Sequence, residues 1–556
     1  MKKRSGGQIL VDHLKIHGVD HVFCVPGESY LAALDAFYDN QDSIKLIVCR
    51  QEGGAAYMAE SYGKLTGKPG ICFVTRGPGA TNASVGVHTA FQDSTPMILF
   101  IGQVARNQID REAFQEIDFK RMFAPIAKWV VQIDQTSRIP ELISQAFHRA
   151  VNGRPGPVVV VLPEDMLAEE VTVSDSNSYR LVQIAPAEKD LMTLHMMLGK
   201  AEKPFVIVGG SGWNKQSVFN LQTFIEKFKL PIGASFRRQD LYDNRLLYYA
   251  GDVGIGINPK LKETIQNSDL LLVIGARLGE MATSGYSLIN IPCPKQKLIH
   301  IHLDSQELGR VYQTDLSINS GMLEFTEAIL KLPSLPSIKW TEWTSTINNN
   351  YKKIFQPFTI PGSLQMPKIM EYLRNHLYDD AIITNGAGNY TAWPNRYYQY
   401  KSFRTQLGPT NGSMGYSLPA AVAAKIIYPN KQVISFNGDG CFLMNGQELS
   451  TAVRYKANII IIVINNGMYG TIRMHQEREY PSRVSGTDLI NPNFAELANA
   501  YGAKGFTIHT AEEFIQIFEQ NSQPKTPVLF ELKIDPEALT PISSLSQIRQ
   551  QAQKTN

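Results

Sequence analysis

The sequence has few cysteines and places none of them in a CxxC pair. Its five cysteines are scattered along the chain: Cys24, Cys49, Cys72, Cys293 and Cys441. An odd number at such spacing excludes a disulfide framework and a cysteine zinc site. The cysteine content therefore predicts a reducing, cytoplasmic location.

The chain also lacks a strong charge excess and any long apolar run. Its 54 Lys and Arg against 51 Asp and Glu give a net charge of +3. The longest aliphatic runs, such as residues 157–163 and 459–464, fall far short of the ~20 residues that a membrane span needs. The basic first residues lead into an amphipathic segment, which is not typical of a secretion signal. We expect neither a nucleic-acid partner nor a membrane association.

Short, apolar, β-branched segments bounded by Gly, Pro or Asn recur along the whole chain. Examples are GICFVTRGPG, PFVIVGG and QVISFNGDG, with helical stretches between such segments. This pattern is typical of parallel strands covered by helices on both faces, and it predicts an α/β fold. Turn-rich stretches at 165–187 and 332–365 are candidate linkers. They divide the chain into three doubly wound parallel-sheet domains at 1–170, 187–335 and 360–535, followed by a polar tail at 536–556.

The most informative stretch contains the segments GDG and NNG, centred on Asp439 and Asn466. Each segment follows a buried strand, and the spacing of 466 − 439 = 27 residues is about one βαβ unit. Two adjacent parallel strands would bring both side chains to the carboxyl edge of the sheet, where α/β proteins bind ligands. Either segment alone would predict only a tight turn, but the pair favours a binding site.

The donor atoms in these two segments suit a diphosphate and a metal. The carboxylate of Asp439, the amide oxygen of Asn466 and a backbone carbonyl at Met468 are the hard oxygen ligands that Mg²⁺ prefers. The small residue Gly438 allows close approach, and the amides of Gly440 and Cys441 can receive phosphate oxygens.

This segment resembles the diphosphate-binding motif of thiamine diphosphate enzymes, specifically the acetolactate synthase, pyruvate oxidase and pyruvate decarboxylase superfamily. The resemblance covers nearly the whole chain and preserves its order. It implies a pyrimidine-binding domain, a central Rossmann-like domain and a diphosphate-binding domain, with thiamine diphosphate and Mg²⁺ as cofactors. It also implies a homodimer or homotetramer, in which Glu52 of one chain and Asp439 of another meet at the dimer interface.

The resemblance assigns roles to two further residues. Glu52, in CRQEGGAAYMAESYG, matches the glutamate that hydrogen-bonds the aminopyrimidine ring and promotes proton removal from the thiazolium. Met414, in GSMGYSLPAA, matches the bulky residue under the bend of the cofactor. Without the resemblance, these residues would be interpreted as a helix-start acid and a core side chain.

Weaker matches complete the predicted site. Residues that resemble the family's cofactor-binding positions are Pro26, Gly27, Asn82, Gly386, Gly388 and Asn389. Gln103 and Lys128 resemble polar residues that line the acetolactate synthase active site. Each of these last two would otherwise be interpreted as a solvated or capping side chain.

The chain departs from the family at three places. Where flavin-binding synthases read FDDRVTG, residues 278–285 read LGEMATSG, which makes FAD binding doubtful. The glycine turn at 209–212 has two possible interpretations, as a dinucleotide site or as a turn in which glycine allows close packing. Glu28 and His475 replace the residues that the family usually has near the substrate. Glu28 is either an active-site acid or an acid at a helix start. His475 is either a proton shuttle or a hydrogen-bonded histidine in a loop.

The resemblance implies decarboxylation of a small, pyruvate-like 2-oxo acid and carboligation to a second carbonyl, as in branched-chain amino acid biosynthesis. The alternatives are a decarboxylase or lyase that releases an aldehyde, a flavin-dependent oxidase of the same fold, and a catalytically silent relative. The expected partner in each active alternative is a small-molecule 2-oxo acid.

Overall fold

The computed structural model describes residues 3–555 of the chain. The chain forms two compact units. The first runs to Val182 and also includes Val422–Pro429 and Asn445–Ala457. The second consists of Gln183–Ala421, Asn430–Met444 and the residues from Asn458 onward. The first unit therefore contains the N-terminal domain together with two segments that come from the C-terminal part of the sequence.

The N-terminal domain is built on a parallel sheet of six strands within the described residues. These strands are β1 His21–Cys24, β2 Lys45–Val48, β3 Gly70–Val74, β4 Met97–Gln103, β5 Trp129–Gln132 and β6 Pro157–Pro163. Their order in the sheet is β2-β1-β3-β4-β6-β5. Every residue of β3, β4 and β6 is buried, as expected for strands with helices on both faces. A short antiparallel pair, Arg4–Ser5 with Glu170–Val171, lies apart from this sheet.

The central domain lies in the second unit and has its own parallel sheet of six strands in the described chain. These are β7 Pro204–Val208, β8 Ile232–Ser235, β9 Tyr249–Val253, β10 Leu270–Ile274, β11 Lys297–His302 and β12 Leu316–Asn319. Their order, β9-β8-β7-β10-β11-β12, is the 3-2-1-4-5-6 order of the Rossmann fold.

The C-terminal sheet also lies in the second unit, and its six described strands are parallel. They are β13 Ile382–Asn385, β14 Gln406–Leu407, β15 Val433–Gly438, β16 Ile460–Asn465, β17 Lys504–Ile508 and β18 Val528–Lys533. Their order is β14-β13-β15-β16-β18-β17, which repeats the order of the N-terminal sheet. The two outer sheets thus share a topology that the central sheet does not have.

Helices connect these strands. In the first part of the chain they are α1 Gly6–Ile16, α2 Leu31–Tyr38, α3 Glu52–Thr66, α4 Gly77–Asp93, α5 Phe119–Phe123, α6 Ile139–Val151 and α7 Glu164–Ala168. Next come α8 Glu188–Lys200, α9 Lys215–Phe228, α10 Pro259–Asn267, α11 Met322–Leu330, α12 Thr341–Lys352, α13 Met366–His376 and α14 Ala392–Tyr397. The last are α15 Ser417–Ile427, α16 Asp439–Leu443, α17 Glu448–Arg454, α18 Gly470–Glu479, α19 Phe494–Ala500, α20 Ala511–Asn521 and α21 Leu545–Thr555.

The predicted α/β architecture with parallel sheets is confirmed, while three segments have more structure than expected. The first candidate linker, 165–187, contains most of α7 and the strand Glu170–Val171. The second candidate linker, 332–365, contains α12, and Trp340 just before this helix donates a hydrogen bond of 3.0 Å through Nε1 to the carbonyl of Phe228 in the central domain. The polar tail contains α21, whose Leu545 and Ile548 are buried beside Met468. Within residues 3–555, none of the helices has both the length and the apolar character needed to cross a membrane.

Candidate active site

Residues that follow the strands of the C-terminal sheet gather at one edge. Gly386 follows β13, Asp439 follows β15, and Asn466 follows β16. The strands pair in parallel in that sequence, β13 with β15 and β15 with β16. The predicted diphosphate and metal segments therefore share the carboxyl edge, beside the point where the strand order reverses.

Asp439 is buried at the centre of this edge. Its Oδ1 accepts a hydrogen bond of 2.9 Å from the amide of Gly440. Its Oδ2 accepts one of 2.9 Å from the amide of Gly467 and one of 2.8 Å from Asn491 Nδ2. Burial raises the pKa of the carboxyl, and the hydrogen-bond donors act in the opposite direction. The site thus holds a carboxylate in a fixed orientation with little water around it.

The loop after β16 supplies the other two predicted metal ligands. Asn466 Oδ1 accepts a hydrogen bond of 3.2 Å from the amide of Met468. The loop is tied down from the other side, since the amide of Leu489 donates to the carbonyl of Gly467 at 2.9 Å. Asn466 and Met468 are thereby held in a defined conformation.

A pocket of about 240 Å³ opens at this edge. Predicted site residues that line it are Gly388, Asn389, Met414, Gly438, Asp439, Gly440, Cys441, Asn466 and Met468. Within the described chain, no cluster of three or more His, Cys, Asp or Glu side chains could hold a metal ion. One carboxylate, one amide oxygen and one carbonyl nevertheless fit Mg²⁺, which completes its octahedron with phosphate and water. The donor set of the pocket therefore fits the predicted group.

Two contacts shape the wall of the pocket around Cys441. Its Sγ accepts a hydrogen bond of 3.2 Å from Tyr390 Oη and another of 3.2 Å from the amide of Gly415. Tyr390 Oη in turn accepts a hydrogen bond of 3.0 Å from the amide of Gly386. A Cβ on Gly386 would lie 2.5 Å from the Cys441 sulfur, so only glycine fits there. Met414 packs against the same core.

The loop at Asn389 is fixed to α18. The amide of Asn389 donates to Thr471 Oγ1 at 2.9 Å, and Thr471 Oγ1 donates to Asn389 Oδ1 at 3.0 Å. Asn389 thus has its own hydrogen-bond partner, and it also lines the pocket.

In the first unit, Glu52 lies at the carboxyl edge of the N-terminal sheet. It is the first residue of α3, and Gln51 caps this helix by accepting a hydrogen bond of 3.1 Å from the amide of Gly54. Asn82, in the first turns of α4, donates through Nδ2 to Glu52 Oε2 at 2.9 Å. The structure therefore brings together Glu52 and Asn82, which the sequence placed thirty residues apart.

Pro26 and Gly27 follow β1 at the same edge. A Cβ on Gly27 would lie 2.4 Å from the Thr75 side chain, which follows β3, so glycine is required for the approach. Gln103 ends β4 in a buried position, and its side chain bonds to the carbonyl of Ile117 and the amide of Val104 at 3.0 and 2.9 Å. These residues surround the same end of the sheet as Glu52.

Lys128 lies at the opposite edge of the N-terminal sheet. It precedes β5, and its amide donates to the carbonyl of Pro157, the first residue of β6. Its Nζ donates to the carbonyl of Asn152 at 2.7 Å. In a parallel sheet the amino ends of strands lie away from the carboxyl ends, so the fold of this unit does not bring Lys128 to Glu52.

The two residues that depart from the family are both exposed. Glu28 begins a short 3₁₀ turn, and its carboxylate lies 3.6 Å from the guanidinium of Arg76. His475 lies on α18 and lines a second cavity of about 860 Å³ in the second unit. That cavity shares Gly388, Asn389 and Thr471 with the smaller pocket.

Sequence reasoning missed two residues at these edges, the half-buried Asn491 and the buried Glu448. Asn491 holds Asp439, and Glu448 accepts hydrogen bonds from the backbone before Glu52. Asn491 sits in an NPNF segment that predicts only a turn and a helix cap. Glu448 begins α17 and would be interpreted as a helix-start acid. Neither contact has a local signal, because each joins parts of the chain far apart in sequence.

The glycine turn after β7 is tightly packed against its own chain. A Cβ on Gly209 would lie 1.9 Å from Ser235 Oγ, and one on Gly210 would lie 1.8 Å from the carbonyl oxygen of Gly275. The indole of the buried Trp213 covers the turn and donates to the carbonyl of Gly209 at 2.8 Å. Packing of the chain on itself therefore accounts for these glycines.

Comparison with known proteins agrees with this geometry. Residues 4–122, 191–329 and 386–532 match the N-terminal TPP binding domain, the central domain and the C-terminal TPP binding domain of thiamine pyrophosphate enzymes. The acetolactate synthase large subunit of Lactococcus lactis subsp. lactis is 34% identical over 512 residues, which cover 90% of this chain and 88% of that protein.

Two further relatives have similar names. Acetolactate synthase of Arthrospira platensis is 29% identical over 559 residues, covering 96% of this chain and 95% of that protein. The acetolactate synthase isozyme 2 large subunit of Escherichia coli K12 is 29% identical over 543 residues, covering 96% of each. The chain belongs to the thiamine pyrophosphate enzyme family and is an acetolactate synthase-like, thiamine diphosphate-dependent enzyme.

Proposed function

We propose that the protein decarboxylates a small 2-oxo acid such as pyruvate and transfers the remaining unit to a second carbonyl compound, with Mg²⁺ and thiamine diphosphate bound. The observation that carries the proposal is the pocket of about 240 Å³ that is lined by Met414, Asp439, Asn466 and Met468. Its hard oxygen donors lie at the carboxyl edge of a parallel sheet, where such ligands bind.

Three residues would hold the metal. The carboxylate of Asp439, the side-chain oxygen of Asn466 and the carbonyl of Met468 are the proposed ligands. The amides of Gly440 and Cys441, at the start of α16, would receive diphosphate oxygens. Thiamine diphosphate supplies the stabilisation of the carbanion that forms on loss of CO₂.

Glu52 would handle the proton on the pyrimidine side. Its carboxyl is half-buried and oriented by Asn82, so it can hold a proton at a fixed position toward a ring nitrogen. Met414 would contact the cofactor from the wall of the pocket. Gln103 would shape the edge beside Glu52, whereas the position of Lys128 gives it no role in the unit that contains it.

The cavity of about 860 Å³ next to the pocket is the proposed substrate entrance. Its lining includes Arg396, His475 and Arg478, together with the apolar side chains of Phe236 and Ile542. Cationic side chains around an apolar space suit a carboxylate with a short carbon chain. Since residues 278–285 read LGEMATSG where flavin-binding synthases read FDDRVTG, we propose that no flavin is bound.

The smallest active unit is proposed to be a homodimer. The family resemblance supports this proposal, because it places Glu52 of one chain beside the diphosphate site of another. An isologous interface of this kind would build two equivalent sites from two copies. Sedimentation velocity of the holoenzyme would distinguish a dimer from a tetramer.

Product analysis tests the proposed reaction. Pyruvate, thiamine diphosphate and Mg²⁺ should give CO₂ and acetolactate, which is detected as acetoin after acid treatment. Acetaldehyde alone would instead assign the protein to the decarboxylases. Omission of the cofactor or chelation of the metal should stop CO₂ release. Visible absorbance of a bound flavin in the purified protein would contradict a flavin-free reaction, and absence of CO₂ release across a panel of 2-oxo acids would refute the proposal.

A further inference from the structure

The connection between β2 and α3 is held by a glutamate from a distant part of the chain. Glu448 Oε1 accepts hydrogen bonds of 3.1 Å from the amide of Arg50 and 3.0 Å from the amide of Gln51. Its Oε2 accepts a hydrogen bond of 2.6 Å from Thr451 Oγ1. Glu448 is fully buried, so its carboxylate makes these contacts without competition from solvent.

Ser450 in α17 and Tyr455 just after it bind the same connection. Tyr455 Oη accepts a hydrogen bond of 2.8 Å from the amide of Val48, at the end of β2. Arg50 Nε donates to Ser450 Oγ at 3.1 Å. Segment Asn445–Ala457 belongs to the first unit together with β2 and α3. The connection is therefore part of a packed structure and is fixed by a segment that is distant in sequence but belongs to the same unit.

The sequence leaves room for this contact at Gly54. A Cβ there would lie 2.6 Å from Glu448 Oε1 and 2.9 Å from Glu448 Cδ. Gly54 also donates its amide to Gln51 Oε1, which caps α3. The first turn of α3 thus accommodates the carboxylate on one side and the cap on the other.

Arg50 and Gln51 immediately precede Glu52, and this adjacency gives the contact its consequence. A shift of their amides would rotate the start of α3 and move the carboxyl of Glu52. Among residues 3–555, the one hydrogen bond that the structure shows to the carboxyl of Glu52 comes from Asn82. Proton transfer depends steeply on the position of the group that transfers the proton.

We propose that Glu448 is a positioning residue, whose carboxylate fixes the backbone at Arg50 and Gln51 and so sets where Glu52 meets the cofactor. The inference rests on the proposed function, because it requires that Glu52 activates bound thiamine diphosphate. It adds a residue that touches neither cofactor nor substrate and acts through the backbone.

The test measures activation of the cofactor directly. Holoenzyme with saturating thiamine diphosphate and Mg²⁺ is mixed with D₂O and quenched with acid, and the exchange of the thiazolium C2 proton is followed by NMR. Glu448→Ala should slow this exchange by roughly tenfold to a hundredfold, since small misplacements of a catalytic group have effects of that size. The KM for pyruvate should change little while kcat falls with the exchange rate.

Two milder variants keep the test valid if Glu448→Ala does not fold. Glu448→Gln keeps an oxygen that can accept both backbone amides, and it should retain exchange within a few-fold of wild type. Thr451→Val removes only the hydroxyl that orients Oε2 and should slow exchange measurably. Wild-type exchange in Thr451→Val and in folded Glu448→Ala would overturn the proposal.

Glu60 provides the matched control. Like Glu448 it is a fully buried glutamate, but it lies on α3 itself. It accepts a hydrogen bond of 2.7 Å from Thr95 Oγ1 and forms an ion pair of 3.1 Å with Lys64. Glu60→Ala should lower the melting temperature without slowing C2 exchange in the folded holoenzyme. Equal slowing in this control would show that any damage to α3 is sufficient, and it would contradict a specific role for Glu448.

Glu52→Gln separates the two proposals. Wild-type C2 exchange in Glu52→Gln would refute the proposed role of Glu52 itself. Slow exchange in Glu52→Gln with normal exchange in Glu448→Ala would refute only the positioning role. If both proposals hold, adding Glu448→Ala to Glu52→Gln should cause almost no further slowing, because the two residues act on one event.

Discussion

In the N-terminal sheet β2 leads to Glu52, and in the C-terminal sheet the strand at the same place in the order, β14, leads to Met414. The next strands along the chain are β3 and β15. Strand β3 leads to α4, whose first turns carry Asn82, and β15 leads to Asp439. Strands β4 and β16 end at Gln103 and just before Asn466. One topology therefore presents two sets of side chains at equivalent strand ends.

The difference shows how one architecture can supply the two halves of a site. The N-terminal edge offers a half-buried carboxyl that is hydrogen-bonded to an amide, which suits proton transfer. The C-terminal edge offers a buried carboxylate with neighbouring carbonyl and amide oxygens, which suits a metal and a diphosphate. The topology fixes where ligands bind, and the residues after each strand decide the chemistry.

The prediction with the largest expected effect asks whether these two edges form one site that is built from two chains. Glu52→Gln should lower kcat roughly 10²- to 10⁴-fold, as loss of a proton-transferring group does, and Asp439→Asn should lose Mg²⁺-dependent activity. After unfolding and refolding together in equal amounts, the two inactive variants should recover about a quarter of wild-type activity, because half the dimers then contain one intact site.

The control is each variant refolded alone, which should remain inactive. No recovery in a mixture proven to contain heterodimers would show that Glu52 and Asp439 serve a site within one chain.

The sequence predicted the C-terminal edge better than the N-terminal one. Asp439 and Asn466 follow two adjacent buried strands, so spacing alone brought them together. Glu52 and Asn82 were identified only through the family resemblance, because a glutamate at a helix start has a simpler explanation. Lys128 precedes the run WVVQ, and its position before a parallel strand already indicates the edge away from Glu52.

The two site residues that the sequence did not predict share a physical cause. Glu448 and Asn491 act through contacts with residues that are far away in sequence or in another strand connection. Their local patterns indicate only a helix start and a turn. The helix α12 could have been predicted, since Trp340, Trp343, Ile347 and Tyr351 recur at helical spacing, but the surrounding Pro and Asn residues favoured a linker.

The second prediction sharpens the description of the C-terminal edge. Asn491→Ala removes the amide that donates to Asp439 Oδ2 at 2.8 Å and to Asn465 Oδ1 at 3.0 Å. Residues that orient a metal ligand typically contribute roughly 10- to 100-fold in metal affinity, and the Mg²⁺ concentration for half-maximal activity should rise accordingly. Titration of the apoenzyme with Mg²⁺ at saturating thiamine diphosphate measures the change.

Asn493 is the matched control for this variant. It caps α19 through hydrogen bonds to the amides of Ala495 and Glu496 and makes none to Asp439 among the described contacts. Asn493→Ala should lower stability by about 1 kcal/mol without changing the Mg²⁺ requirement. An equal change in both variants would show that Asn491 acts only through the loop.

The third prediction concerns the N-terminal edge. Gly54→Ala would place a Cβ 2.6 Å from Glu448 Oε1, and the buried Glu448 side chain is held there by its hydrogen bonds. Overpacking of this kind should lower the free energy of unfolding by about 1–3 kcal/mol, measured by urea denaturation. Gly279→Ala, where an added Cβ meets nothing within 4 Å, should be close to neutral. Equal stabilities would mean that α17 does not hold the start of α3 as tightly as the contacts indicate.

The smallest expected effect is a change of stability with pH at the C-terminal edge, where the buried carboxylate of Glu477 binds the helix α21. Hydrogen bonds of 2.8 and 2.7 Å from Arg549 on α21 lower the pKa of Glu477 on α18 to about 2. Because the folded-state pKa lies below the ordinary value of 4.5, this contribution to stability is present at neutral pH and is lost as pH falls from 4.5 toward 2. Hydrogen exchange in α21 should therefore accelerate over that range before hydrogen exchange in the reference helix α9 accelerates.

Glu477→Gln should show the faster exchange of α21 already at pH 7. Unchanged protection of α21 in this variant would mean that the apolar contacts of Leu545 and Ile548 suffice to hold the helix.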